Sequence, residues 1–174
     1  MPIVICNAGP LMALGKLNRL ELLTDLYNEI QIPQAVYKEV VTAGLARGAP
    51  DAQVVRLFCS QRQLPVVSVS ETTMMDYTPQ VILDPGETEV LALAQSVMNP
   101  FLLMDDEVAR AEARRLKIQV RGTLGVLVQA HRSCILTFKQ IKLLIEEIAT
   151  RPDIWIAARL CEQVLVNIQK NDKG

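Results

Sequence analysis

Short apolar runs alternate with longer helical stretches along most of this chain, and that alternation leaves few folds open. Residues 3–6 (Ile-Val-Ile-Cys) are a continuous apolar run ending in a turn at 7–10, the pattern of a buried strand. Helices are predicted over 10–17 and 19–26, a second strand over 29–32, and a helix from Pro33, which suits a first helical turn, to about Val41. An Ala, Gly and Pro-rich loop follows at 43–51, then a helix over 51–61, a strand over 65–70 and an irregular stretch over 71–85. A marked helix (84–97), a strand (101–104), a helix (106–116), a short strand (118–120) and a helix (122–132) complete the alternating part. Helices over 137–149 and 153–168, the second begun by Pro152 or Asp153, form a C-terminal pair, and 169–174 reads as a flexible tail. Strands separated by helices imply βαβ units. The expectation is an α/β fold of three layers, α/β/α, with a central parallel sheet of about five strands, in one domain over 1–168.

Composition narrows the function. Half the residues are hydrophobic, which excludes a disordered chain. A net charge of −1 and a pI near 5.9 argue against a protein that coats nucleic acid, which is normally basic. The cysteines (Cys6, Cys59, Cys134, Cys161) form no CxxC pair, and His131 is the one histidine, so a zinc site is not expected. Reduced, mostly buried thiols are the simpler reading. The start, MPIVICNAGP, lacks a basic region before an apolar core and is not expected to be a signal peptide. No stretch reaches the ~20 apolar residues of a membrane helix. A cytoplasmic location is therefore the expectation.

Ligands of an open parallel sheet bind beyond the carboxyl ends of its strands. Asn7 follows the first predicted strand there, and Asp105 and Asp106 follow the fourth. Glu87, preceded by Asp84, opens the helix before that strand, Glu39 lies late in the helix after the second, and Thr123 follows the fifth. Carboxylates gathered at one sheet end repel unless a cation joins them. Oxygen ligands without Cys or His select Mg²⁺ or Mn²⁺. Capping competes as an explanation. Asp84-Pro85-Gly86-Glu87 has the form of a capping box, Asp105 or Asp106 can cap the helix at 106, and Asn7 can cap the first helix. Glu89 stands about 200° round the helix from Glu87, at ~100° per residue, and so belongs to another face. Arg110 and Arg114, four apart, either guide nucleic-acid phosphates or pair on a solvated face with Glu107 and Glu112.

Four segments carry a resemblance: IVICNAGPLMALGKLNRLELL, IQIPQAVYKEVV, LDPGETEVLALA and LLMDDEVARAEARRLKIQVRGTLGVL. In this order, over most of 3–128, they resemble the PIN-domain family, and especially the VapC-like ribonucleases of toxin–antitoxin pairs in a subgroup with Asn at the first acidic position. The resemblance implies a Mg²⁺- or Mn²⁺-dependent ribonuclease. It also implies catalytic roles for Glu39, Glu87 and Asp106, and metal contacts from Asn7, Glu39, Glu87, Asp105 and Asp106. RNA contacts from Thr123, Arg110 and Arg114 would complete the site. A small protein antitoxin and a homodimer are the implied partners, with Trp155 either at such a surface or in the core. Asn7 offers a neutral carbonyl where active relatives offer a carboxylate, so a catalytically weakened binding module is the alternative. A phospho-receiver fits poorly, because its acidic pair belongs after strand one and here follows strand four.

Overall fold

Val4, Ile5 and Cys6 are all but inaccessible, and so are Leu102, Leu103 and Met104. These two runs form the middle of the fold. The computed structural model describes residues 1–171. Its elements are β1 (Ile3–Cys6), α1 (Ala8–Lys16), α2 (Glu21–Leu26), β2 (Ile30–Pro33), α3 (Gln34–Tyr37), a π-helical segment (Lys38–Ala43), α4 (Gly44–Ala46), α5 (Pro50–Gln61) and β3 (Val66–Val67). There follow α6 (Glu71–Asp76), α7 (Pro85–Ser96), β4 (Pro100–Leu103), α8 (Glu107–Arg115), β5 (Gln119–Arg121), α9 (Thr123–Arg132), α10 (Phe138–Thr150) and α11 (Ala158–Asn171).

Among the described residues the strands make one five-stranded sheet, ordered β3-β2-β1-β4-β5 and parallel throughout. β1 and β4 pair along their whole length, from Ile3 opposite Pro100 to Cys6 opposite Leu103. The chain steps outward from β1 to β3 in one direction and from β4 to β5 in the other. Right-handed connections running opposite ways cover opposite faces, which gives the expected three layers. Two compact units result, Met1–Thr123 and the residues from Leu124 onward. In the second unit α10 packs on α11, and Ile141, Leu144, Ile145 and Ile148 are buried. No described helix is long and apolar enough to cross a membrane.

Five expectations needed correction. The helix after β2 runs on through the π-helical segment and α4 to Ala46, where a loop over 43–51 was expected. Gly44 is there for close approach and not for a turn: a Cβ on it would stand 2.7 Å from the Cβ of Ala52 on α5. β3 has two residues rather than six, and the supposedly irregular stretch 71–85 contains α6. Ser70 caps that helix by accepting from the Thr73 N–H at 3.1 Å. The last helix begins at Ala158, because Asp153 is taken up by Arg151: Nε donates to Oδ1 at 2.9 Å and Nη2 to Oδ2 at 2.7 Å. That helix continues through 169–171, where the tail was expected to begin; 172–174 lie outside the described residues. Trp155 is exposed rather than core, and Cys6, Cys59 and Cys161 are buried free thiols while Cys134 is exposed.

The connection from α6 to α7 is tethered by one carboxylate. Glu112 on α8 is covered and accepts from the Tyr77 hydroxyl (3.3 Å), the Gln80 N–H (3.2 Å) and Arg115 through Nε and Nη2 (2.8 and 2.7 Å). Arg115 is thus the partner of Glu112, which sequence spacing had assigned to Arg110 and Arg114. The Arg115 guanidinium, with the Gln80 N–H and the Tyr77 hydroxyl, holds the Glu112 carboxyl down at about 2, against an ordinary 4.5. A lowered carboxyl contributes stability that is present above its unfolded value and is lost as pH falls through its folded one. Glu112→Ala leaves the Gln80 N–H and Tyr77 hydroxyl without an acceptor and is expected to cost about 2 kcal/mol in urea unfolding. Proteolysis within 77–84 should accelerate, and the wild type's loss of stability below about pH 4.5 should flatten in the variant.

Candidate metal centre

Strand order reverses at β1, whose neighbours are β2 and β4. Chains leaving the carboxyl ends of β1 and β4 therefore diverge and open a crevice, the usual ligand position of such a sheet. Asn7 stands on one lip, with its N–H donated to the Leu103 carbonyl at 2.9 Å. Met104, Asp105 and Asp106 follow β4 on the other lip, and the Met104 N–H is donated to the Arg121 carbonyl at 2.9 Å. A separate cavity of about 410 Å³, lined by Tyr37, Arg56, Leu57, Cys59, Ser60, Leu64 and Val66, contains no carboxylate and lies elsewhere.

Asn7 occupies the N-cap position of α1, yet its side chain makes no capping hydrogen bond. Capping, the simpler explanation of this residue, does not hold. The side chain is 5% exposed, and its Oδ1 is buried with no partner. An acceptor desolvated without a donor costs about 1–3 kcal/mol and calls for a ligand. Across from it stands Gly86, in the first turn of α7. A Cβ on Gly86 would lie 3.1 Å from Glu39 Oε2, 3.6 Å from Val36 Cγ2 and 3.9 Å from Asn7 Oδ1. Absence of that Cβ lets α7 start directly against the amide of Asn7 and the carboxylate of Glu39.

Glu39 reaches this place from the π-helical segment, whose wider turn is common at functional sites. Burial, then the nearby charge of Asp84, raises its carboxyl above the ordinary value. Glu87 is raised as well, by burial first and then by Asp106, Asp84 and Glu39, against the lowering effect of its bond to the Asp84 N–H. Glu39, Asp84, Glu87 and Asp106 thus share one field of mutual repulsion. The capping box is real: the Asp84 N–H donates to Glu87 Oε2 at 3.1 Å. It engages one of the two oxygens and leaves the other. Asp106 caps α8, its Oδ1 accepting from the Ala109 N–H at 2.8 Å. Glu89 sits on another face, as its spacing predicts, and accepts from the Ala35 N–H at the start of α3.

Asp105, the second of the paired aspartates, is engaged differently. Its Oδ1 accepts from the Thr123 N–H at 2.7 Å and its Oδ2 from the Thr123 hydroxyl at 2.6 Å. Burial raises its carboxyl, and the two bonds from Thr123 and the charge of Arg110 oppose that rise. Two glycines close on it. A Cβ on Gly9 would stand 3.1 Å from Oδ2, and one on Gly122 would stand 2.9 Å from Oδ1 and 3.2 Å from Arg110 Nη1. Sequence reading gave Asp84 only a capping role and gave none to Gly9, Gly86 or Gly122; the only signal of these glycines is adjacency to a candidate acid or to Thr123. Arg114, the exposed member of the arginine pair, donates to Glu107 Oε1 at 2.9 Å, whereas Arg110 Nη1 only approaches Glu107 Oε2, at 4.0 Å.

Comparison with known families adds one finding: residues 3–170 match a family model described as DUF3368, PIN domain. The chain belongs to the PIN-domain family. No match to a curated protein is found. The PIN domain is a nuclease fold. A divalent cation can be tested against the residues present. Among the described residues no three His, Cys, Asp or Glu side chains gather tightly enough to enclose an ion. Hard cations that keep several waters need only one or two carboxylates directly. The unpartnered Asn7 Oδ1 beside Glu39 at Gly86 is an all-oxygen donor set, the kind that would suit Mg²⁺ or Mn²⁺ rather than zinc.

Capping and charge at Asp106 separate by substitution. Asp106→Ala is expected to cost about 1 kcal/mol in thermal or chemical unfolding, and Asp106→Asn only a few tenths, because Asn caps as well as Asp. Thr123→Val removes the hydroxyl from a buried carboxylate and should cost about 1–3 kcal/mol by the same measurement.

Proposed function

We propose that this PIN domain is a Mg²⁺- or Mn²⁺-dependent endoribonuclease that hydrolyses RNA phosphodiesters. The observation that carries the reading is the buried, unpartnered Oδ1 of Asn7 facing Glu39 across Gly86. Asn7, Glu39, Glu87 and Asp106 would hold the cation, with Asp105 beside them fixing the α9 end of the crevice through Thr123. When bound, such an ion lowers the pKa of a water and neutralises charge on the phosphoryl group under attack. The carboxylates of Glu39 and Glu87, raised by burial and crowding, are stronger bases than an ordinary carboxylate and are suited to take a proton from the attacking water. Arg110 adds positive charge on the approach, whereas Arg114 is bonded to Glu107. The ordered resemblance to VapC-like ribonucleases supports a toxin role, with a small protein antitoxin as regulator and a homodimer as the assembly. The exposed Trp155 offers one surface for such contacts.

One observation favours a second reading. Asn7 is neutral, and no three acids are gathered for one ion, as a weakened PIN domain kept as a binding module would show. Activity decides. With Mn²⁺ the wild type should cleave single-stranded RNA, and Glu87→Gln and Asp106→Asn, which preserve both caps, should lose about 100-fold or more while melting as the wild type does. Unimpaired cleavage by both variants would sink the nuclease assignment; no cleavage or metal binding by the wild type would leave the binding module.

Metal binding should also follow pH in a stated direction. The fold favours the neutral forms of Glu39 and Glu87, so without metal their contribution is present at low pH and is lost as pH rises through their folded values, above the ordinary 4.5. A cation restores it. The rise in melting temperature given by Mn²⁺ should therefore be largest at neutral pH and shrink on acidification. A shift independent of pH would exclude these carboxylates as ligands.

A further inference from the structure

Two buried side-chain atoms lack a hydrogen-bond partner among the described residues, Asn7 Oδ1 and Arg110 Nε. One is an acceptor and the other a donor, and both belong to the crevice. Asp105 lies between them: its Oδ2 faces Gly9 at the start of α1, just past Asn7, and its Oδ1 faces Gly122 and Arg110 Nη1. Asp105 feels the charge of Arg110, while the hydrogen bonds its two oxygens accept come from Thr123. The other candidate, Glu107, bonds to Arg114 at 2.9 Å and stays 4.0 Å from Arg110. The buried Nε donor of Arg110 is therefore left without a partner. The side chain as a whole is 27% exposed.

An unsatisfied buried acceptor beside carboxylates suits a cation, and an unsatisfied guanidinium donor suits an anion. A phosphodiester drawn to a bound cation supplies that anion. We infer that Arg110 donates to a non-bridging phosphate oxygen of the bound strand, with Asp105 and Gly122 positioning the guanidinium, whereas Arg114 is a solvated surface charge. The inference rests on the nuclease reading for the identity of the ligand and separates two arginines that sequence spacing treats alike. Asp105, fixed by Thr123 and feeling the charge of Arg110, becomes a positioning residue.

Binding tests this apart from cleavage. Fluorescence anisotropy with a short labelled oligouridylate in EDTA, where no hydrolysis occurs, should show about tenfold weaker binding for Arg110→Ala and less than twofold change for Arg114→Ala. The slope of log affinity against log salt should fall by about 0.7 for Arg110→Ala only. Arg110→Lys, which keeps the charge and much of the buried stem, covers the case in which the alanine variant fails to fold; it should lose affinity while melting normally, because a lysine lacks the paired donors. Equal effects of the two arginines, full affinity in Arg110→Lys and Arg110→Ala, or no binding by the wild type would overturn the inference. Arginine-dependent binding without cleavage in Mn²⁺ would uphold it while removing the nuclease reading. Cleavage with unchanged affinity on substitution of Arg110 would do the opposite.

Discussion

The ladder between β1 and β4 is the constraint on which the rest of this molecule depends. Both strands are buried on both faces, and they run in register from Ile3 and Pro100 to Cys6 and Leu103. Parallel strands admit no hairpin, so each must be left and re-entered through a covering layer. Because the chain departs from β1 toward β2 and from β4 toward β5, the ends of this ladder cannot be closed by their own connections. The ladder therefore creates the crevice, and it fixes its two lips through the Asn7-to-Leu103 and Met104-to-Arg121 bonds. Glu39 and Glu87 come from helices outside the ladder, and Gly86 lets them approach it.

Much of this was legible in the sequence because the signals were local. Apolar runs mark β1 and β4, while Asp84-Pro85 and Asp106 announce the starts of α7 and α8 within a residue. Where local signals mislead, a distant neighbour is responsible. Gly44 resembles a loop residue until α5 is placed against it, and Asp153 resembles a helix start until Arg151 claims it. The two-residue β3 falls at the sheet edge, where less burial enforces the apolar pattern.

The candidate site was legible as a set of residues but not as a division of labour. Spacing names Asp105 and Asp106 together, yet one caps a helix with an oxygen to spare and the other is occupied at both oxygens. It likewise names Arg110 and Arg114 together, although Arg114 is hydrogen-bonded to Glu107 at 2.9 Å and Arg110 stays 4.0 Å from it. Such distinctions depend on which lone pair meets which donor, and they arise from contacts across tens of residues. Asn7 shows the reverse. A frequent capping residue at a capping position makes no cap, and only the folded environment reveals that its carbonyl is idle.

That idle carbonyl bears on how the chain folds in the first place. A carboxylate at position 7 would be sealed beside Glu39 with no counter-charge, adding to the repulsion already felt by Glu39 and Glu87. A neutral amide spares the newly made chain that penalty, so the crowded end of the sheet can form with one charge fewer.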